Sequence, residues 1–194
     1  VPGVIMTAVI TSSYANVVSS FFGAKFQRFI EEILVSPTSN LVVLLGYLAG
    51  GVGRGLLVGV IVLAISQLFT DLQIHNLAIT VSVVVLTAVL FSLGGFINAI
   101  FARKFDDISI VPTFILTPLT YLGGVFYSID LLPAFWQKVS LANPILYMVN
   151  AFRYGILGHS DIDIGVAYAV ILLFIALLGG LALLLLRAGV GLRS

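Results

Sequence analysis

Few side chains in this sequence are equipped for chemistry, and most of those stand in the wrong company. A phosphate-cradling loop requires G-x-x-x-x-G-K-[ST], with glycine amides around the phosphates and the lysine reaching them. Lys25, Lys104 and Lys138 are the only lysines, and none sits in that pattern. His75 and His159 lie in separate connections without carboxylates at ligand spacing, and no H-E-x-x-H occurs, so both read as solvated loop histidines. Cysteine is absent, which removes thiolate metal sites and disulfides. No G-x-S-x-G elbow is present, and an enzymatic reading has no residue set to carry it.

What remains is a cluster of mixed charge. Lys25, Arg28, Glu31 and Glu32 interleave with Phe26, Phe29, Ile30, Ile33 and Leu34 at helical spacing, which predicts an amphipathic helix over 25–36. Pro37 ends it, because proline lacks an amide donor and disfavours helix at the residue before it, here Ser36. An Arg28–Glu32 pair would add only about 0.2–0.5 kcal/mol and does not explain why a helix sits there. Such a helix either rests on lipid headgroups or docks a cytoplasmic partner. Its mixed acidic and basic face favours docking, since lipid-surface helices are dominated by Lys and Arg.

A second group lies inside apolar runs. Arg54 is the single formal charge within a long hydrophobic segment, and an intramembrane charge is by default a functional candidate. Measured from an outer end near Asp71, it falls within about two turns of the cytoplasmic boundary and snorkels, or else lines a transport path. Asn98, Thr113, Thr117 and Thr120 either face a polar cavity or bond to helix carbonyls. Gly51, Gly55 and Gly59, like Gly46 and Gly50, recur every four residues and predict close helix packing. Pro112 and Pro118, followed by Gly123 and Gly124, predict a kinked helix protected by protein.

The elements that must hold these residues follow from composition. The chain is 60% hydrophobic and 9% charged, with net charge +1 and mean hydropathy +1.20, against about 25% charged residues in soluble domains. It is an all-α integral membrane protein with no expected nucleic-acid partner. Apolar runs of the roughly 20 residues needed to cross lipid occur at 1–24, 41–69, 77–102, 108–127 and 165–186. Basic residues then set the orientation. Lys25 and Arg28, Arg103 and Lys104, and Arg187 and Arg193 follow the first, third and fifth runs and place those ends in the cytoplasm. Asp71, Asp130, Asp161 and Asp163 fall on the other side, with Lys138 and Arg153 as exceptions. Residue 1 then sits at the outer face, so a sixth span preceding these five is expected.

Residues 128–163 are too broken to span and too apolar for an ordinary loop, and predict interfacial or re-entrant helices. One covers 131–139, with Pro133 near its start and Trp136 at headgroup level. The next has Asn143 as N-cap and Pro144 at its first position, and runs through Tyr147, Asn150 and Arg153 to Gly155 or Gly158. Tyr127, Trp136, Tyr147 and Tyr154 form an aromatic belt that either anchors the chain or closes an outward exit.

Taken in order, several segments resemble one family. These are Glu31-Glu32-Ile-Leu-Val-Ser36-Pro37, Pro118-Leu-Thr-Tyr-Leu-Gly-Gly-Val-Phe-Tyr127, Leu131-Leu-Pro133, and Asn143-Pro144-Ile-Leu-Tyr147 with Phe152-Arg153. Together they resemble the ABC-2 type transporter permeases over the whole chain. The resemblance implies a type V exporter-like transmembrane domain of six spans that dimerises and binds two cytoplasmic ATPase subunits, which carry ATP and Mg. It also implies that the helix matching 25–35 is the coupling helix, with Lys25, Arg28, Glu31, Glu32, Ser36 and Pro37 in that role. Many members hold a Gly-Thr pair within this motif, where this chain has Arg28-Phe29-Ile30. The function implied is an ATP-driven exporter permease. The alternatives are an ion-coupled carrier, which calls for midplane carboxylates, and a non-transporting scaffold subunit.

Overall fold

Long runs of Val, Leu, Ile and Ala leave the backbone no partner but itself in lipid, and helix is the outcome. The computed structural model describes residues 1–70, 74–126 and 133–191, and of Leu34 the backbone alone. Arg193, Asp71, Asp130, Tyr127 and Leu131 lie outside the described residues. Proline in the first turn opens α1 (Pro2–Phe26). The side chain of Ser39 accepts the Val42 amide and caps α3 (Asn40–Gln67); Asn76 does the same through Ile79 for α4 (Leu77–Phe101), and Asp163 through Val166 for α9 (Ile164–Ala188). These four helices, of 25, 28, 25 and 25 residues, are long and apolar enough to cross a membrane.

α1 and α4 form the centre, each packing against α3 and against α8 (Pro144–Leu157). α9 closes the far side against α4 and α8, and the outer faces of α3 and α9 are exposed. The glycine repeat of α3 sets its approach. A Cβ on Gly51 would stand 2.2 Å from Ser92 Oγ, and one on Gly55 would stand 2.0 Å from Ser13 Oγ. Only glycine admits helices this close. The same register places Arg54 level with Ser13, at the middle of α1. Its face of α3 is exposed.

The fourth apolar run is the clearest departure. It forms α5 (Asp107–Val111), a π turn over Pro112–Leu116 and α6 (Thr117–Leu122), after which Gly124 takes φ 70°. Prolines at 112 and 118 each remove an amide from the ladder, and the backbone widens to i→i+5 bonding between them. At 1.5 Å per residue the helical stretch is about 24 Å, short of the roughly 30 Å hydrocarbon core. Beyond it, α7 (Ala134–Leu141) begins three residues later than expected.

Two ends are thereby defined. At one, Lys25 Nζ donates to the carbonyls of Ile100 and Ala102, at 2.6 and 2.8 Å, and a Cβ on Gly191 would meet the Ile100 carbonyl at 2.5 Å. This gathers Lys25, Arg28, Arg103, Lys104 and Arg187 where α1, α4 and α9 finish. At the other end the amides of His75 and Asn76 donate to the carbonyls of Ile156 and Gly155, at 3.2 and 2.8 Å, joining the start of α4 to the last turns of α8. Asp161 and Asp163 lie on this side.

Candidate coupling element and intramembrane groove

The amphipathic segment is two pieces. α1 continues through Lys25 to Phe26, Arg28 turns the chain with φ 63°, and α2 (Phe29–Val35) follows. Ser36 is extended with ψ 156°, as a residue preceding proline should be, and its hydroxyl donates to Ile33 O at 2.6 Å. Lys25 is therefore not on the polar face of the expected helix. It belongs to α1 and satisfies two carbonyls at the end of α4 that have no intrahelical donor. The left-handed turn at Arg28 also breaks the spacing that would have joined Arg28 to Glu32, and no such pair forms. α2 is anchored by Ile30, which is 1% exposed, while Glu31, Glu32, Val35 and Pro37 are exposed.

A groove of about 320 Å³ opens between α1 and the proline-interrupted helix. Thr113, Thr117 and Thr120 line it, and from the facing helix come Thr7, Thr11 and Tyr14, which the sequence reading did not single out. Their i, i+4, i+7 spacing in α1 is the signal that marks them. Thr117 Oγ1 donates to Pro112 O at 3.0 Å and Thr120 Oγ1 to Leu116 O at 2.7 Å, so both line the groove and mend the helix. Thr11 and Thr113 have no partner among the described residues. Asn98 is not a free ligand: its Nδ2 donates to Tyr14 Oη at 2.7 Å, pinning α4 to α1. The groove is thus neutral, with threonine oxygens and the Tyr14 hydroxyl among aromatic and aliphatic walls.

Above it, the outer residues form a connected latch. Asn143 accepts the Ile145 amide at 3.0 Å and donates to Leu119 O, the carbonyl left open where α6 ends, at 2.6 Å. Arg153 joins Asp161 at 3.1 Å and Gly124 O at 3.0 Å, and Asn150 Oδ1 accepts the Asp161 amide. Pro144 opens α8, Tyr147 Oη donates to Leu141 O, and Trp136 packs edge-on against Phe135. Tyr154 meets the His75 ring rather than lipid headgroups alone. Ile145, Leu146, Met148 and Val149 are fully buried, so α8 is a wedge inside the bundle and not a surface anchor.

The model of the ABC-2 type transporter family matches residues 1–157. The chain belongs to that family. All 194 residues of this ABC-2 protein align at 56% identity with the inner membrane transport permease YadH of Escherichia coli K12, covering 76% of that relative. Nodulation protein J of Rhizobium leguminosarum bv. trifolii is 23% identical over 163 residues, 84% of this chain and 62% of the relative. Nodulation protein J of Neorhizobium galegae is 22% identical over 186 residues, 95% of this chain and 71% of its own length. The ABC-2 protein described here is thus a multi-pass membrane transport subunit, in which α2, the groove and the outer latch are the parts left outside simple helix packing.

Proposed function

We propose that this chain is the permease subunit of an ATP-binding-cassette exporter in the bacterial inner membrane, working as a homodimer with a separate cytoplasmic ATPase. The observation that carries this is α2: a short helix at the basic end of the bundle, anchored by Ile30, that presents Glu31, Glu32, Val35 and Ser36 outward on a family member with no nucleotide loop. The basic end faces the cytoplasm by the positive-inside rule, and the similarity to an inner membrane permease supports the location.

In this reading nucleotide-driven closure of the ATPase pair pushes on α2. Only Gln27 and Arg28 separate α2 from α1, and Lys25 fastens α1 to α4, so the push moves α1 and α4 together. Their counterpart is the proline-interrupted helix, whose π turn lets it deform. The groove between the two is the path for substrate, and the Arg153–Gly124–Asp161 latch closes it outward. In this reading the proline-interrupted helix counts as the remaining span.

The test is charge reversal. E31K/E32K permease, co-purified with the ATPase encoded beside it, is expected to lose most ATPase capture and transport-coupled hydrolysis while remaining monodisperse and thermally unchanged. Unaltered capture and coupling would refute the assignment of α2.

A further inference from the structure

Behind α2, on the side away from Glu32 and Val35, lies a cavity of about 760 Å³ between the cytoplasmic ends of α1, α4 and α9. Three of its lining residues are cations, Lys25, Arg28 and Arg103, and one is an acid, Glu31. Arg28 and Arg103 are exposed and form no ion pair among the described residues. Lys25 spends two of its three N–H donors on Ile100 and Ala102, leaving one. The backbone of Arg103 is fixed separately, because its amide and that of Lys104 donate to Asp107 Oδ2 at 2.8 and 2.9 Å. The remaining wall is apolar, with Phe22, Phe26 and Phe101 in the last turns of α1 and α4.

A volume in the range of small-ligand pockets, with three cations and three aromatic rings in its lining, matches one chemical class: a phosphate monoanion joined to an apolar tail. We propose that this cavity binds the phosphate headgroup of an anionic phospholipid from the inner leaflet, with its first acyl carbons against Phe22, Phe26 and Phe101. The guanidinium groups of Arg28 and Arg103 supply paired donors to the phosphate oxygens, and the position at the leaflet boundary supplies the lipid. The site touches α2 through Arg28 and Glu31 on the face opposite Val35, so lipid and ATPase can be held together. It does not depend on the ATPase assignment.

Native mass spectrometry of the purified full chain, released from micelles doped with phosphatidylglycerol or phosphatidylcholine, tests this directly. Wild-type permease is expected to retain phosphatidylglycerol about tenfold more strongly than phosphatidylcholine, a difference of about 1.4 kcal/mol. R28Q/R103Q is expected to fall to the phosphatidylcholine level, and R187Q, which removes a basic residue outside the cavity, to leave the preference unchanged. Matching phosphatidylcholine retention in all variants serves as the folding check. The proposal is overturned if R28Q/R103Q keeps the preference or if R187Q loses as much. It is overturned equally if millimolar inorganic phosphate displaces the lipid from wild type, since the ligand would then be a free anion.

Discussion

At Arg28 the backbone adopts φ 63°, a region where an L side chain crowds its own carbonyl at a cost of about 1–2 kcal/mol. Glycine pays no such penalty. R28G is therefore expected to raise the melting temperature by about 2–4 °C, corresponding to about 1 kcal/mol in a chain of this size. R28A, which keeps the Cβ, should show no gain; equal gains from both would remove backbone strain as the cause. Adjacent glycines in α4 give a sharper contrast. A Cβ on Gly95 would stand 2.6 Å from the Tyr14 carbonyl oxygen, backbone that cannot turn aside, whereas one on Gly94 meets only the Tyr14 ring at 3.9 Å. G95A is expected to cost about 1–3 kcal/mol and G94A almost nothing, read as midpoints in a thermal melt. Which of the two glycines matters was not legible in the sequence, because the answer lies in α1, some eighty positions away. The role of Lys25 was hidden for the same reason: local periodicity assigns it to the amphipathic face, and only the fold brings the ends of α4 within its reach.

Among the elements, the four long helices were legible almost to their ends, since apolar length and terminal Ser, Asn and Asp caps are local signals. The proline-interrupted helix was legible as a kink but not as a π turn, since two prolines announce lost amides without saying how the remaining ones regroup. That regrouping has a consequence for transport. If the π turn is the compliant part of the cycle, P112A/P118A, which restores both amides so that an ordinary helical ladder can form, should lower transport several-fold while leaving capture of the ATPase and thermal stability intact or slightly improved. Vesicle export assays beside pull-downs distinguish this from misfolding, and unchanged export would assign the flexibility elsewhere. The outer latch makes a different prediction. D161A removes a partly exposed ion pair worth about 0.2–1 kcal/mol, whereas R153A also leaves the Gly124 carbonyl without its donor. R153A is expected to lower the melting point by about 2–4 °C, and an unchanged melting point would show that its bonds to Gly124 and Asp161 carry no stability.

Taken as a whole, the molecule is a tight central group of α1, α3, α4 and α8 flanked by a loosely attached proline-interrupted helix. The sequence could not reveal that α8 is enclosed, because its polar Asn150 and Arg153 read locally as interfacial, and the residues that bury it come from α1, α4 and α9. The groove was half legible: its threonines on one side were visible as polar residues in a span, but their facing partners on α1 become a set only when the two helices are brought together. One detail of that assembly offers a clock for the transport cycle. The peptide hydrogens of His75 and Asn76 are held by the last turns of α8 and not by any helix of their own. In heavy water they should exchange slowly while the outer face is shut. Should the wedge withdraw each time the exit opens, deuterium would enter at these two positions at a rate set by the cycle and would rise when ATP is supplied. Should α8 travel with α4 as one body, the two positions would stay protected throughout turnover, and the exit would have to form on the side of the proline-interrupted helix.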